Sequence, residues 1–266
     1  SSAPRITSVI SIPATAMGSR PTAVRTEKRP PTFGGMMKVS QPSSVAIWRS
    51  APFTGSWSPT LTPPATRTGQ QHRLVYRLAD EGAEVELCHE VKNVSGTIVT
   101  LAPWALTVCA AGGVEIFPQS VKDNGLLSNR RNVFWSYSDI NDDRFFLGNK
   151  YGTLQQVKGS AGKFKIGMNN EDGWAAVVNH GQIFLKNFCM NIDGEYPDYG
   201  CNFETFTNGI FLECESLGEI KPLKNGEALH ITEYWSLIPC DDGFDRKSEE
   251  SIDAFVKKHD LRNHHA

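Results

Sequence analysis

Alternation of apolar and polar residues is the feature that most constrains this chain. Between His72 and Pro239 it recurs in short runs such as HRLVYRL, AEVELCHEVKNV and IFLECESLG, each ended by Gly, Asn or Pro. A period of two places successive side chains on opposite faces of a β-strand, so each run has one face for a core and one for solvent or a ligand. At least nine such runs predict a mainly antiparallel all-β domain.

The breaks between runs predict where the strands turn. Residues 79–82 (ADEG) and 93–96 (NVSG) have turn chemistry, and Pro103 interrupts a strand pair. Asn93 also begins an Asn-x-Ser acceptor pattern for glycosylation, which we interpret as a turn because no secretory signal precedes it. Residues 122–150 are polar and are predicted to form a long loop whose aromatic residues line a groove.

One short helix is predicted after the last strand. Ser248 is a candidate N-cap in SEESIDAFVKKHDL, and Ile252, Phe255 and Val256 are spaced to share one helical face.

Residues 1–70 follow a different compositional rule from residues 71–266. The first segment has eight bases and one acid, a net charge of +7, whereas the remainder has 19 bases and 28 acids, a net charge of −9. It is rich in Ser, Thr, Pro and Arg and keeps neither period, which predicts a disordered or aberrant segment beside one β domain. A basic arm, an organelle transit peptide and out-of-frame translation after a frameshift are the three explanations, and the abrupt start of the strands favours the last.

The bulk composition excludes several classes of protein. The net charge of −2 argues against a nucleic-acid surface, and no apolar run is long enough to span a membrane. Without a visible signal peptide we expect a cytoplasmic protein of unknown oligomeric state whose six scattered cysteines are reduced. No spacing indicates a cofactor or a metal, although a calcium ion held by acidic loops stays open.

Several phrases, in order, resemble one known family. LAPWALTVCAAGGVEIFPQ, FWSYSDINDDRF, DGWAAVVNHGQIFLKNF, EYPDYGCNFETFTNGIFLECESLG and LHITEYWSL look like the bacterial family of unknown function numbered 4380, which sits among the galactose-mutarotase-like, or aldose 1-epimerase-like, proteins. The resemblance covers roughly residues 72–239 and implies a large antiparallel supersandwich whose concave sheet accepts a sugar. Because many activities share that scaffold, the fold does not define the function.

Sugar epimerisation by proton transfer requires a base and an acid. Glu204 is the candidate base, because alternation in CNFETF places Asn202, Glu204 and Phe206 on one face and the family phrase contains them. His180, in a turn, and His230, in a strand, are the candidate acids. Each of these two histidines is more often a structural residue than a catalytic one.

The candidate substrate-binding residues surround these three. Glu213 and Glu215 share a face and need a partner, for which Lys186 or sugar hydroxyls are candidates, with a solvated outer face as the alternative. Trp135 is the preferred stacking platform, whereas Trp104 and Trp235 are expected in the core. The set expected to hold a sugar is Lys186, Tyr196, Asp198, Asn202, Glu213 and Trp135.

Three hypotheses remain open. The first is an aldose-epimerase-like enzyme with a small-molecule carbohydrate substrate. The second is a carbohydrate-binding or accessory module without turnover, favoured because family members usually carry further strands and a His/Arg-bearing loop that residues 1–70 do not reproduce. The third is an inactive product of a frameshifted gene.

Overall fold

A computed structural model describes residues 69–79 and 82–263, together with three short strands within residues 1–68. The predictions of disorder, a transit peptide or a frameshift for residues 1–70 otherwise lie outside the described residues and stay predictions.

Eighteen strands and two helices are described, and most strands fall where the alternating runs predict them. In chain order the elements are β1 (Thr7–Val9), β2 (Ala14–Thr15), β3 (Thr60–Leu61), β4 (Gln70–Leu78), β5 (Glu84–Asn93), β6 (Val99–Ala102), β7 (Trp104–Cys109), β8 (Val114–Pro118), β9 (Asn132–Phe134), β10 (Phe145–Leu147), β11 (Tyr151–Gln155), β12 (Phe164–Met168), β13 (Trp174–Asn179), β14 (Gln182–Phe188), α1 (Pro197–Gly200), β15 (Phe203–Thr207), β16 (Leu212–Leu217), β17 (Lys221–Leu223), β18 (Ala228–Pro239) and α2 (Glu249–Lys258).

The strands form two large antiparallel sheets and one small one. Sheet I has the order β1-β7-β16-β15-β12-β9, and sheet II has the order β10-β11-β8-β13-β14-β18-β5-β4-β3. A third sheet has the order β17-β6-β2. The predicted all-β antiparallel sandwich is therefore confirmed.

The main core lies between the inner faces of sheets I and II. Phe164, Ile166 and Phe203 of sheet I and Phe117 and Trp235 of sheet II are buried there. Each such side chain contributes roughly 1.5–3 kcal/mol through removal of apolar surface from water. Because alternate residues face opposite ways, the neighbours of these core residues in β12 and β15 point to the outer face of sheet I.

The outer face of sheet II is covered by α2. Ile252, Phe255 and Val256 pack in a cluster with Trp174 and Leu185 of the sheet. The predicted helix is confirmed with its N-cap, since the Ser248 side chain accepts a hydrogen bond from the Ser251 backbone N–H. The outer face of sheet I lies on the opposite side of the sandwich from α2.

The predicted turn at residues 93–96 is also confirmed. Asn93 is fully buried, and its side chain accepts from the Ser95 N–H and donates to the carbonyls of Thr97 and Leu223. An amide with these partners is anchoring a turn, which is the interpretation given above to the Asn-x-Ser pattern.

Residues 122–150 are more ordered than predicted. The segment contributes β9 to sheet I and β10 to sheet II. Both strands have only three residues, too few for alternation to stand out from the polar sequence around them. None of the described helices is long and apolar enough to cross a membrane.

Candidate functional site

The candidate site lies on the outer face of sheet I. In the register of β12, β15 and β16, Gly167 pairs with Glu204 and Glu204 pairs with Glu215. Lys165, two residues before Gly167, shares their face. Three strands that are separate in sequence thus bring one lysine and two glutamates together.

One ammonium group bridges two carboxylates. Lys165 Nζ lies 2.7 Å from Glu204 Oε2 and 2.9 Å from Glu215 Oε2. Glu213, on the same face of β16, is partly exposed, whereas Glu204 and Glu215 are buried. We call Lys165, Glu204, Glu213 and Glu215 the Lys165 cluster. Its three acids outnumber its single base, so its charge is balanced only if carboxyl groups take up protons.

Two tryptophans flank the lysine. The Nζ of Lys165 lies 4.9 Å from the ring centroid of Trp104 and 4.9 Å from that of Trp135. The indole N–H of Trp104 donates to Glu215 Oε2 at 2.7 Å. Trp104 was expected in the core, and that expectation is wrong: its ring is half-buried beside the cluster. Trp135 lies beside the same ammonium group, and its role as a stacking platform stays a prediction.

The electrostatics of the cluster favour protonated carboxyls. Burial raises the pKa of Glu204 to about 8, against the opposing effect of Lys165. Burial and the neighbouring Glu215 raise the pKa of Glu213 to about 7. Burial alone would lower the pKa of Lys165, but Glu215 and Glu204 outweigh it and raise that pKa above its usual range. The lysine stays charged while two carboxyl groups titrate near neutral pH.

One oxygen of Glu204 forms no hydrogen bond with the described residues. Its Oε1 is buried and accepts no hydrogen bond from any described residue, while Oε2 contacts Lys165. A buried polar atom without a partner is costly, and at a functional site a substrate group is a natural partner.

The approach to Glu204 is formed by α1 and β12. Asp198, exposed and with a φ of 49°, interacts with Glu204 and helps raise its pKa. A Cβ at Gly167 would fall 2.8 Å from the Cys201 sulfur and 3.3 Å from Glu204 Cγ. The glycine therefore keeps open the space beside the carboxylate that any larger residue would fill.

Two other predicted binding residues have structural partners. The Tyr196 hydroxyl accepts from the Asn191 N–H at 2.9 Å, and the ring is buried. Asn202 precedes β15 and is not part of its alternation. Its side chain accepts from the Asn170 N–H at 2.7 Å and donates to the Asn170 carbonyl at 2.9 Å. These bonds use the polar atoms that a sugar would need. The predicted sugar-binding roles of Tyr196 and Asn202 stay predictions.

Lys186 is on the inner side of the sandwich. It is fully buried in β14, its ammonium lies 2.8 Å from Glu233, and it donates to the Cys214 carbonyl at 2.9 Å. Lys186 is one of the two candidates given above as partner of the acids of β16, but the cation beside Glu215 is Lys165. The predicted sugar-binding role of Lys186 stays a prediction. Alternation within β14 could not indicate which sheet face its lysine meets.

The two candidate acids lie outside the Lys165 cluster. His180 is in the turn between β13 and β14, with a φ of 53°, and is exposed. His230 is exposed in β18, paired in register with Glu90. Both belong to sheet II, and their predicted acid role stays a prediction.

Sequence reasoning missed Lys165 and misassigned Trp104. The signal for Lys165 was present, because FKIGM places a lysine between two apolar residues of a strand, where a charge needs a partner. In the described residues, the cluster of metal-ligand type is Cys240, Asp242 and His259, next to the face of sheet II that α2 covers.

The comparisons with known proteins give matches to solved structures alone. No family model matches, and no curated protein matches. A galactose mutarotase-like protein from Lactobacillus casei is 13% identical, with 72% of this chain and 73% of that one covered and a TM-score of 0.43. A candidate aldose 1-epimerase from Escherichia coli K12 is 9% identical, with 73% and 69% covered and a TM-score of 0.43.

A third match is more partial. A candidate aldose 1-epimerase from Klebsiella pneumoniae is 11% identical with a TM-score of 0.44, and this chain spans 53% of its length. At these values the likeness concerns overall shape, and no residue role is taken from it.

Proposed function

We propose that the Lys165 cluster binds a small carbohydrate and that Glu204 exchanges a proton with it, as an epimerase-like enzyme would. The observation that carries the proposal is the buried, unpartnered Oε1 of Glu204 beside a lysine-bridged carboxylate and two tryptophans. Carboxylates that accept from hydroxyls and aromatic rings that stack on a pyranose are the usual means of holding a sugar.

The proposed chemistry is ring opening at the anomeric carbon. Glu204 takes the proton of the anomeric hydroxyl, the bond from that carbon to the ring oxygen breaks, and an acid protonates the ring oxygen. A pKa of about 8 lets Glu204 change protonation state at little cost near neutral pH. Closure of the ring on the other face of the aldehyde, with the protons returned, completes the exchange of anomers.

The acid in this proposal is Glu213. The pKa values of Glu213 and Glu204, about 7 and about 8, lie close together, so the form with Glu204 ionised and Glu213 protonated is a minor but accessible one. Glu213 is also partly exposed, at the opening of the cluster. Lys165 holds Glu204 and Glu215 in place and stabilises whichever carboxylate is charged. Trp135 and Asp198 would contact the ring face and a hydroxyl.

The second candidate is a carbohydrate-binding module without turnover. The ion pair between Lys165 and Glu204 favours it, since a lysine at 2.7 Å makes Glu204 a weaker base than the same buried carboxylate would be without it. In that case Glu204 accepts a hydroxyl hydrogen bond without removing the proton.

Anomer exchange measured by NMR separates the two candidates. The protein is mixed with a panel of free aldoses and uronic acids, and saturation transfer reports binding while magnetisation exchange between anomers reports turnover. An enzyme accelerates exchange for at least one sugar, and Glu204→Gln reduces that rate by about 100-fold or more, the range that a positioned acid or base contributes. Binding without accelerated exchange supports the module, and no binding by any sugar contradicts both.

Glu195→Gln is the matched control, because Glu195 is exposed outside the cluster. It should leave both signals unchanged. A Glu204→Gln variant that exchanges anomers at the original rate would contradict the enzymatic proposal.

A further inference from the structure

A second group of reactive side chains lies at the end of sheet II. Cys240 follows the last residue of β18, Asp242 lies two residues later, and His259 caps the C-terminal end of α2. The ligand atoms of these three side chains all lie within 4.8 Å of one another. The proposed carbohydrate site does not use this group.

The distances within the group are close to those between ligands of one metal ion. Asp242 Oδ1 lies 3.0 Å from His259 Nε2 and 3.4 Å from Cys240 Sγ. Bonds of about 2.0–2.3 Å at tetrahedral angles separate neighbouring zinc ligands by roughly 3.3–3.7 Å. Small side-chain movements would therefore place all three donors around one cation.

The fold holds two of the donors in place. The Cys240 side chain is buried in the apolar cluster beneath α2. The ring of His259 packs against Phe255 with centroids 4.6 Å apart, and its side chain is only 11% exposed. Asp242, the most exposed of the three at 28%, provides the path by which an ion enters.

The arrangement does not suit nucleophilic catalysis by Cys240. A catalytic cysteine needs a histidine that accepts its proton. The Cys240 thiol instead contacts the Asp242 carbonyl at 3.2 Å and the Asp242 carboxylate, and His259 contacts that carboxylate. The carboxylate lies between the two groups that a catalytic pair would join.

We propose that Cys240, Asp242 and His259 bind a zinc-class divalent cation that links the end of β18 to the end of α2. Thiolate, imidazole and carboxylate are the donors that zinc accepts, and three protein ligands leave the fourth position to water. When the ion binds, the Cys240 thiol loses its proton to solvent, and the hydrogen that His259 Nε2 shares with Asp242 Oδ1 moves to Nδ1 of the ring or to solvent. Lys258 contacts the other carboxylate oxygen, Asp242 Oδ2, at 2.9 Å, which leaves Oδ1 for the ion.

Cobalt(II) is the probe for this site, because a thiolate ligand gives a charge-transfer band and tetrahedral geometry gives intense d–d bands. The full chain, reduced and freed of metal by a chelator, is titrated with Co²⁺ and then with Zn²⁺. We expect saturation at one ion per chain, both sets of bands, and their loss as zinc displaces cobalt. The melting temperature should rise with Zn²⁺, since the ion binds the folded form.

Matched variants assign the signal to residues. Cys240→Ser should abolish the charge-transfer band, and Asp242→Asn and His259→Ala should each weaken binding by at least about 10-fold, as the loss of a metal contact does. Cys189→Ser, at the exposed cysteine, and His180→Ala should change neither band nor affinity. A double variant at His264 and His265 controls for the histidines at the end of the chain.

Lys258→Ala separates a metal site from a simple ion-pair cluster. Without the Lys258 ammonium, Asp242 has one cation fewer competing for its carboxylate, so the affinity for the metal should stay equal or increase. Three results would overturn the proposal. They are the absence of bound cobalt at millimolar concentration, a charge-transfer band that survives in Cys240→Ser, and a charge-transfer band that is lost in Cys189→Ser. If Cys240→Ser does not fold, His259→Ala and Asp242→Asn still provide the test.

Discussion

The interior of the sandwich and the outer face of sheet I each bury a lysine against glutamate, but the two sites differ in charge balance. On the inner side Glu233 contacts Lys186 at 2.8 Å, the Trp235 N–H at 2.9 Å and His89 at 3.4 Å. Burial alone would raise the pKa of Glu233, but Lys186 and His89 lower it to about 2. We call Lys186, Glu233, His89 and Trp235 the inner network.

The Lys165 cluster has the opposite electrostatic outcome. One lysine serves three acids, and the pKa of the Glu204 carboxyl rises to about 8. The comparison teaches that burial by itself does not indicate function. A buried lysine and glutamate of matched charge fix the packing around them. An excess of carboxyl groups around one lysine instead leaves some of those carboxyls able to gain or lose a proton near neutral pH.

Breaking the inner pair should have the largest effect on stability. Lys186→Met leaves Glu233 charged and buried without its main partner, which costs about 3 to 5 kcal/mol. Denaturant unfolding followed by tryptophan fluorescence measures the loss. The double variant Lys186→Met with Glu233→Gln should recover part of it, and a single variant as stable as the parent chain would contradict the assigned role.

The pH dependence of stability should distinguish the two sites by sign. Glu204 has a folded pKa of about 8, above its ordinary 4.5, so it stabilises at low pH and loses that contribution as pH rises from about 4.5 to 8. Glu233 has a folded pKa of about 2, so its contribution is present above 4.5 and is lost as pH falls toward 2. Each contribution is on the order of a few kcal/mol.

Chemical denaturation at a series of pH values tests these signs. Glu204→Gln should flatten the alkaline decline and Glu233→Gln the acidic one. Glu115, fully buried with a pKa raised to about 8 by burial, adds to the alkaline decline and calls for its own Glu115→Gln variant. An alkaline decline that is unchanged in Glu204→Gln would contradict the assignment.

Removing the cluster lysine should cost less stability than removing the inner one. In Lys165→Met the Glu204 carboxyl can take up a proton, and the cluster opens to solvent at Glu213, so we expect a loss of about 1 to 2 kcal/mol. Urea unfolding measures it. The rate of anomer exchange should fall even though the variant remains folded. A loss equal to that of Lys186→Met would remove the distinction between the two sites.

The smallest expected effect lies outside both sites. Ser248→Ala removes the N-cap bond to Ser251 at 3.3 Å and should cost about 1 kcal/mol or less. Thermal unfolding measures this loss. The acidic and alkaline declines in stability should both be unchanged. Ser248→Asp keeps a hydrogen-bond acceptor at the N-cap and is the control that should retain stability. A change in either the acidic or the alkaline decline would show coupling between α2 and the charged sites.

Local features of the sequence determined the strands, the turn at Asn93 and the capped helix at Ser248. Alternation and capping involve residues within a few positions of one another, so the sequence itself contains their causes. The same alternation put Glu204 and Glu213 on strand faces apart from the core, and the turn chemistry before β15 drew attention to Asp198.

Only the tertiary structure decided which groups meet. Lys165 lies 39 positions before Glu204 and 50 before Glu215, and strand order in sheet I makes them neighbours. Lys186, and not Lys165, is the candidate partner named from the sequence, yet Lys186 occupies an inward-facing position of β14 and contacts Glu233. The partner of a buried charge is chosen by strand order and by the packing of two sheets, and both are non-local properties that alternation cannot encode.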